Sequence, residues 1–508
     1  MNIGRVSGIN FKGNPLSDAV KKNSINPQTM LSPNIQPEQK QEIMSDNQSG
    51  KSKILLAYLG AAGVLVASGI YLIKRGRGTK QIESPVSAEK LNNTANEIKT
   101  TISEEIITPV SEYLSELAKG LEKMTGKKFE PQNLSSVMDK EEFIEATSKL
   151  KKENYIASKE NIENGIFKAD LHSHSNYSDG EGTVENILNE VVAYADKLHE
   201  KTGDKFIFAL TDHDTTEGSK EALKLISQNP EKFKNVRFVI GSEVSYLIKS
   251  DKTTNPCETS ELLVFGFNPF AKKVEAFFND VLQRRLDAQK NYIKDLSEKF
   301  PNTKFSEEEF VNVFLGDRLP NKPMMNSFWQ IYHYGQIKDV LSNTAKAKGL
   351  EPENYFKECM AKAPKRLNLE EFKKHGLIEN WITENPQIRT INDKYLPKID
   401  GKGNIIKTSE NLIDDIADAF REEKNCMIGF AHPYYISERT SNITSVIDEV
   451  QFKLGDLLRF TESYHQAYSP ELLKNEGQKI GEISKLFERE HIIPIGGRDN
   501  HTADFLKL

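Results

Sequence analysis

The stretch D-L-H-S-H-S-N-Y-S-D-G-E-G, Asp170 to Gly182, decides how the rest of this sequence is read. His172 and His174 follow a short apolar run, Phe167 to Leu171. Side chains alternate along an extended backbone, so both imidazoles fall on one side of it. Asp179 comes shortly after, on a glycine-bounded turn. Two imidazoles on one face with a carboxylate nearby suit Zn, Fe or Mn. His-x-His also arises by chance, so the stretch needs support from elsewhere in the chain.

At 508 residues the chain is long for one core, and two or three folding units are expected. The net charge of -6 leaves no global basic footprint, which argues against a long nucleic acid partner. Cys257, Cys359 and Cys426 are scattered and form no CxxC pair, so no disulfide framework is expected. Hydrophobic content of 37% is low for a fully packed protein, so part of the chain is expected to be tail or exposed helix.

Residues 1–50 are rich in Asn, Ser, Gln, Pro and Lys without an apolar period, and read as a disordered tail. From Ile54 to Ile73 no charge occurs, and that length crosses a bilayer core at about 1.5 Å per residue. Lys51 and Lys53 precede the run; Lys74, Arg75, Arg77 and Lys80 follow it. Residues 51–80 are therefore expected to be a single-pass transmembrane anchor, with the C-terminal part cytoplasmic by the positive-inside rule. Residues 81–160 are polar and helical in pattern, with one apolar stripe through Ile98, Ile102, Ile106, Val110, Leu114, Leu117 and Leu121. This segment reads as a stalk, a self-association helix, or a helix lying on the following domain.

From 161 to 508 the pattern is α/β. Seven apolar runs are candidate strands: FKADLH, FIFALTD, VRFVIGSE, ELLVFGF, CMIGFAH, LRFTES and IIPIGG, starting at Phe167, Phe206, Val236, Glu261, Cys426, Leu458 and Ile492. Helical stretches separate several of them, which predicts a barrel-like sheet. Between about 271 and 409 no strand is evident, and that stretch reads as a helical insertion. In parallel α/β barrels the carboxyl ends of the strands build the site. Here those ends carry His172 and His174, then Thr211-Asp212-His213-Asp214, then Glu243, then His432, then Glu462 and His465, and finally Arg498-Asp499-Asn500-His501. Six of the ten histidines fall at these ends, a clustering that packing does not explain and metal ligation does.

These motifs, D-L-H-S-H-S-N-Y-S-D-G, L-T-D-H-D, G-S-E, F-A-H-P and G-G-R-D-N-H, resemble in order those of the PHP (polymerase and histidinol phosphatase) superfamily. The resemblance covers roughly residues 166–508 and implies a distorted (β/α)7 barrel with metal-dependent phosphoesterase activity. The long insertion, with R-R-L-D-A-Q-K-N-Y-I from Arg284 and K-Y-L-P-K-I-D from Lys394, is similar to the branch that includes the bacterial 3′,5′-nucleoside bisphosphate phosphatase, also an exoribonuclease. Carried over residue by residue, the resemblance implies a first metal on His172, His174, Glu243 and Asp499. Glu243 would bridge to a second metal that His432 also holds. A third would use Asp179, His213 and His501. The family's histidine on the fourth strand corresponds to Leu263, which cannot bind metal, so two or three divalent ions (Mn, Zn or Fe) are expected. Glu261, two residues earlier on the same face, is either a partial substitute or a strand-edge charge.

The chemistry implied is phosphoester hydrolysis by metal-activated hydroxide, with paired ions about 3.5–4 Å apart clamping phosphoryl oxygens. Among residues that do not bind metal, Asp212 or Asp214 would orient a ligand imidazole, the alternative being a cap on the next helix. His465 is a candidate general acid or phosphate donor, against a structural histidine. Arg498 would grip phosphate or salt-bridge a neighbour, and Arg318 is a weaker phosphate candidate. The expected function is a membrane-anchored phosphoesterase acting on a phosphate monoester or nucleotide. The alternatives are a degenerate metal- or ligand-binding scaffold and a nuclease acting on 5′ ends of RNA or DNA. Oligomeric state is not legible.

Overall fold

Phe206–Leu210 is five consecutive buried residues, a pattern that suits a strand covered on both faces. In the computed structural model, residues 112–253, 255–299, 302, 304, 327–362, 369–377, 390, 391, 394–465, 470–489 and 492–502 are described. Their strands are β1 (Ala169–Asp170), β2 (Phe206–Leu210), β3 (Val236–Lys249), β4 (Cys257–Phe265), β5 (Lys398–Ile399), β6 (Ile405–Ile406), β7 (Met427–Phe430), β8 (Leu458–His465) and β9 (Ile493–Gly497). Seven of them form one sheet in the order β1-β2-β3-β4-β7-β8-β9. The sheet curls until its ends nearly meet. Leu171 N donates to Gly496 O, His174 N to Asn500 O at 2.9 Å, and Ser173 bridges Asn500 in parallel. The result is a mixed α/β, nearly closed barrel, and its seven strands overlap the seven apolar runs of the sequence.

One strand departs from the parallel pattern. β4 runs antiparallel to both β3 and β7, whereas the other neighbouring pairs are parallel. The cause is the connection. Residues 250–256 are too few for a crossover helix, so β3 and β4 form a hairpin with Lys249 opposite Cys257. Both strands also run farther beyond the barrel than their apolar cores indicate. β4 therefore meets the site with its N-terminal half.

Alternation along each strand separates two cores. On β3, Val239 faces an inner cluster with Leu171, Ala209, Leu263, Phe460 and Ile495, while Phe238, Ile240 and Val244 join the outer layer against the helices. The bottom of the inner cluster is filled from upstream of β1. Phe143 packs its ring 5.4 Å from Phe265 and 5.2 Å from Phe460, and Tyr155 lies 5.8 Å from Tyr464. The helix over 112–125 lies in the outer layer through Tyr113, Leu117, Ala118 and Leu121. The described part of the 81–160 segment is thus packed on the barrel. Residues 1–111, including the tail and the apolar run 54–73, lie outside the described residues. Among the described residues no helix is long and apolar enough to cross a membrane.

The insertion has its own apolar core, centred on Tyr292, Leu296, Tyr334, Ile337 and Leu341. It is helical over Lys272–Lys299, Ser327–Ala347, Pro352–Met360 and Leu369–Lys374. Contrary to the strand-free expectation, it also contains the hairpin β5–β6, turned at Gly403 (φ +83°), a conformation that suits glycine. Two neighbouring arginines mount it on the barrel. Arg284 donates to the carbonyls of Thr408, Ser409 and Glu410. Arg285, buried, sits between Asp214 (2.8 Å) and Glu410 (2.5 Å). Arg285→Met leaves two buried carboxylates facing each other without their cation. The expected loss is about 3–5 kcal/mol of unfolding free energy, measured by urea denaturation; an unchanged midpoint would mean that the triad holds nothing together.

Candidate metal centre

The strand ends converge on Glu243. Its side chain is fully buried, and its two oxygens face opposite halves of the site. Oε2 lies 3.1 Å from His172 Nε2, 3.4 Å from His174 Nε2 and 3.1 Å from His213 Nδ1; Oε1 lies 2.9 Å from His432 Nε2. Asp499 Oδ1 faces the same two imidazoles from the other side, 3.6 Å from His172 and 3.1 Å from His174. Next to this set, His174, Asp179, His213 and His501 converge, with His501 Nε2 3.1 Å from Asp179 Oδ2. The structure therefore brings all eight expected ligand residues into one cluster. Each of these two sets offers ligand atoms that all lie within 4.8 Å of one another.

Whether cations fit can be judged from the atoms themselves. Buried atoms without a hydrogen-bond partner include His172 Nε2, His213 Nδ1, Asp179 Oδ1, Glu243 Oε2 and Glu261 Oε2. Buried polar groups normally find partners, and here the orphans share one centre. An ion about 2.0–2.2 Å from each ligand atom separates neighbouring ligands by roughly 3–3.5 Å. The nitrogen–oxygen separations around Glu243 match that spacing, so the residues fit divalent ions.

The backbone is shaped to this end. His432 (φ +27°) and Asp499 (φ +52°) both occupy the left-handed region, at about 1–3 kcal/mol each. Gly497 passes so close to His172 that an added Cβ would sit 2.4 Å from the histidine's own Cβ. Glu462, deep in the barrel mouth, accepts from His172 Nδ1 at 3.0 Å and from the His432 backbone N–H at 2.9 Å. That bond places the His172 proton on Nδ1 and leaves Nε2 for the centre.

Charges in the cluster shift one another strongly. Burial opposes ionisation of Glu243, but His172 and His213 outweigh it and hold the carboxyl well below its usual range. Burial likewise opposes protonation of His213 and His501. Glu243 and Asp179 lift His213 to about 9, and Asp499 and Asp179 lift His501 to about 10. Burial and the neighbouring His501 push His174 down. Glu261 is raised by burial and by Glu243. Without a cation the His213 and His501 rings take up protons, so metal binding here must displace them.

His465 belongs to the cluster: its Nε2 lies 3.5 Å from Asp499 Oδ2, and with His172 and Glu462 it forms a third group. Burial lowers its pKa, against the pull of Glu462. Three other candidates have defined partners. Arg498 Nε and its backbone N–H both donate to Asp170, at 2.8 and 3.0 Å, with the guanidinium over the Phe167 ring. It fastens β9 to β1, the salt-bridging alternative. Asp212 reaches no imidazole directly. Its carboxylate accepts from Ser175 N, Ser175 Oγ and Ser178 Oγ, and so orders the turn after His174. Asp214 caps no helix; it accepts from Ser245 and Arg285. Arg318 lies outside the described residues. The residue given no role in the sequence was Glu462, whose only signal was its position three residues before His465 on one strand.

The seven-stranded, nearly closed barrel carries these ordered motifs at its mouth. No family model matches the chain, and no curated protein does. Among solved structures, it is similar to a protein described as a metal-dependent phosphoesterase from Bifidobacterium adolescentis, with 17% identity and a TM-score of 0.36, over 66% of this chain and 88% of that one. It is also similar to an amidohydrolase from Chromobacterium violaceum with bound sulfate and no metal, with 17% identity and a TM-score of 0.33 over the same shares. Likenesses this distant carry no activity across; the side chains must.

Glu462→Gln keeps the shape but removes the charge that holds the His172 tautomer. Metal affinity is expected to fall about 10–100-fold, read by competition with a chromogenic chelator. Unchanged affinity would show that Glu462 does not orient His172.

Proposed function

We propose that this chain is a metal-dependent phosphoesterase that hydrolyses a phosphate monoester or nucleotide-type substrate. The observation that carries the proposal is the set of buried, partnerless ligand atoms around Glu243 at cation spacing. Divalent ions held there would lower the pKa of water toward 7 and polarise phosphoryl oxygens. The chain's own contribution is placement. Glu243 turns one oxygen to His172 and His174 and the other to His432, the arrangement of a shared ligand. His465, beside Asp499, would hold or protonate a phosphoryl or leaving oxygen.

Room for the rest of a substrate lies next to His213. A cavity of about 70 Å³ is lined there by Tyr177, Thr215, Lys220, Phe278, Leu282 and Arg285, the last three from the insertion helix Lys272–Lys299. The chain's net charge of -6 supports a small phosphorylated substrate over a long nucleic acid. With Mn²⁺ loaded, the full-length protein is expected to release phosphate from p-nitrophenyl phosphate or a nucleoside bisphosphate. Chelation or His174→Ala should abolish that release. No turnover of these, or of 5′-phosphorylated RNA, would favour a metal-binding scaffold instead.

The uncharged run from Ile54 to Ile73 supports attachment to a membrane. The full-length protein should then sediment with membranes, and deletion of 54–73 should move it to the soluble fraction; equal partitioning of the two would remove the anchor from this proposal.

A further inference from the structure

Resting on the metal-dependent reading above, we infer that Glu261 is a metal ligand that stands in for the histidine expected at Leu263. The carboxylate is 4% exposed. Its Oε2 lies 3.2 Å from His432 Nε2 and has no hydrogen-bond partner. The ligand atoms of His213, Glu243 and Glu261 lie within 4.8 Å of one another.

The strand-edge explanation fails on topology. β4 is hydrogen-bonded on both sides, to β3 and to β7, and the Glu261 carbonyl accepts from Ala431 N. A carboxyl in the middle of a sheet, next to a second buried carboxylate, either keeps its proton or is matched by positive charge. His432, His213 and Arg439 supply part of that charge, and a shared cation would let the carboxylate stay ionised.

The reversed strand explains the shift in position. Leu263 lies opposite Glu243 and is fully buried in the inner core with Phe143, Phe265 and Ala431. Because β4 runs backwards, stepping toward the mouth means stepping to lower residue numbers. Glu261, opposite Ser245, is the next inward position above Leu263. The ligand has moved up one layer, and Leu263 has become packing. Replacing a ring nitrogen by a carboxylate oxygen also hardens this position, favouring Mn²⁺ over Zn²⁺ relative to a histidine site.

The test is metal counting on full-length protein loaded with Mn²⁺ and dialysed, with the Mn²⁺ electron paramagnetic resonance spectrum as a second readout. Glu261→Gln should lose about one equivalent of metal, and spin coupling between neighbouring ions should collapse to isolated-ion signals. Glu261→His, which restores a nitrogen donor, should keep the equivalent and bind Zn²⁺ more tightly relative to Mn²⁺ than the wild type does. The retained ions of Glu261→Gln, with an unchanged circular dichroism spectrum, report that the fold is intact. Unchanged stoichiometry and affinity in Glu261→Gln would overturn the assignment. A wild-type protein that binds no Mn²⁺ at all would instead bring down the phosphoesterase proposal itself.

Discussion

Everything in this structure is arranged around one buried carboxylate. Glu243 has no solvent exposure, and four imidazoles approach it within 3.4 Å. A charge so buried persists only if its surroundings supply compensating charge and hydrogen bonds. That requirement accounts for the histidines gathered around it at a single end of the barrel. It also accounts for the left-handed backbone at His432 and Asp499: the strain is tolerated because the ligand cluster over-determines those positions.

The barrel below the cluster is apolar, and the division between the layers is sharp. Leu171, Ala209, Leu263 and Phe460 fill the inside, and Phe143 and Tyr155 close it from beneath. One or two residues onward along several strands, the side chains become ionisable. Low polarity beneath the site strengthens each electrostatic contact within it. The Arg498–Asp170 pair then ties the first strand to the last, so the residues from opposite ends of the sequence meet in fixed register.

The insertion is more than an appendage hung on a loop. Arg285 reaches from it to Asp214, the residue following His213, and Arg284 clamps the returning chain at 408–410. Asn411 continues the seam by donating to Ser245 O on β3. The loop that carries His213 is therefore held from both the barrel and the insertion, and the cavity beside His213 is walled by both.

Much of this was legible before the chain was folded. Seven apolar runs marked the seven barrel strands, because burial demands apolar runs, and the histidines and carboxylates at their ends marked the candidate cluster, because loops at strand ends meet at the barrel mouth. Those are local signals. The direction of β4, the roles of Arg498 and Asp212, and the importance of Glu462 were not legible, because each depends on a partner distant in sequence: Arg498 on Asp170, and Glu462 on His172. Glu261 shows the boundary most clearly. Sequence alone left it between a ligand and a strand-edge charge. Only the reversed, doubly paired strand decided that it is buried, at the mouth, and facing His432.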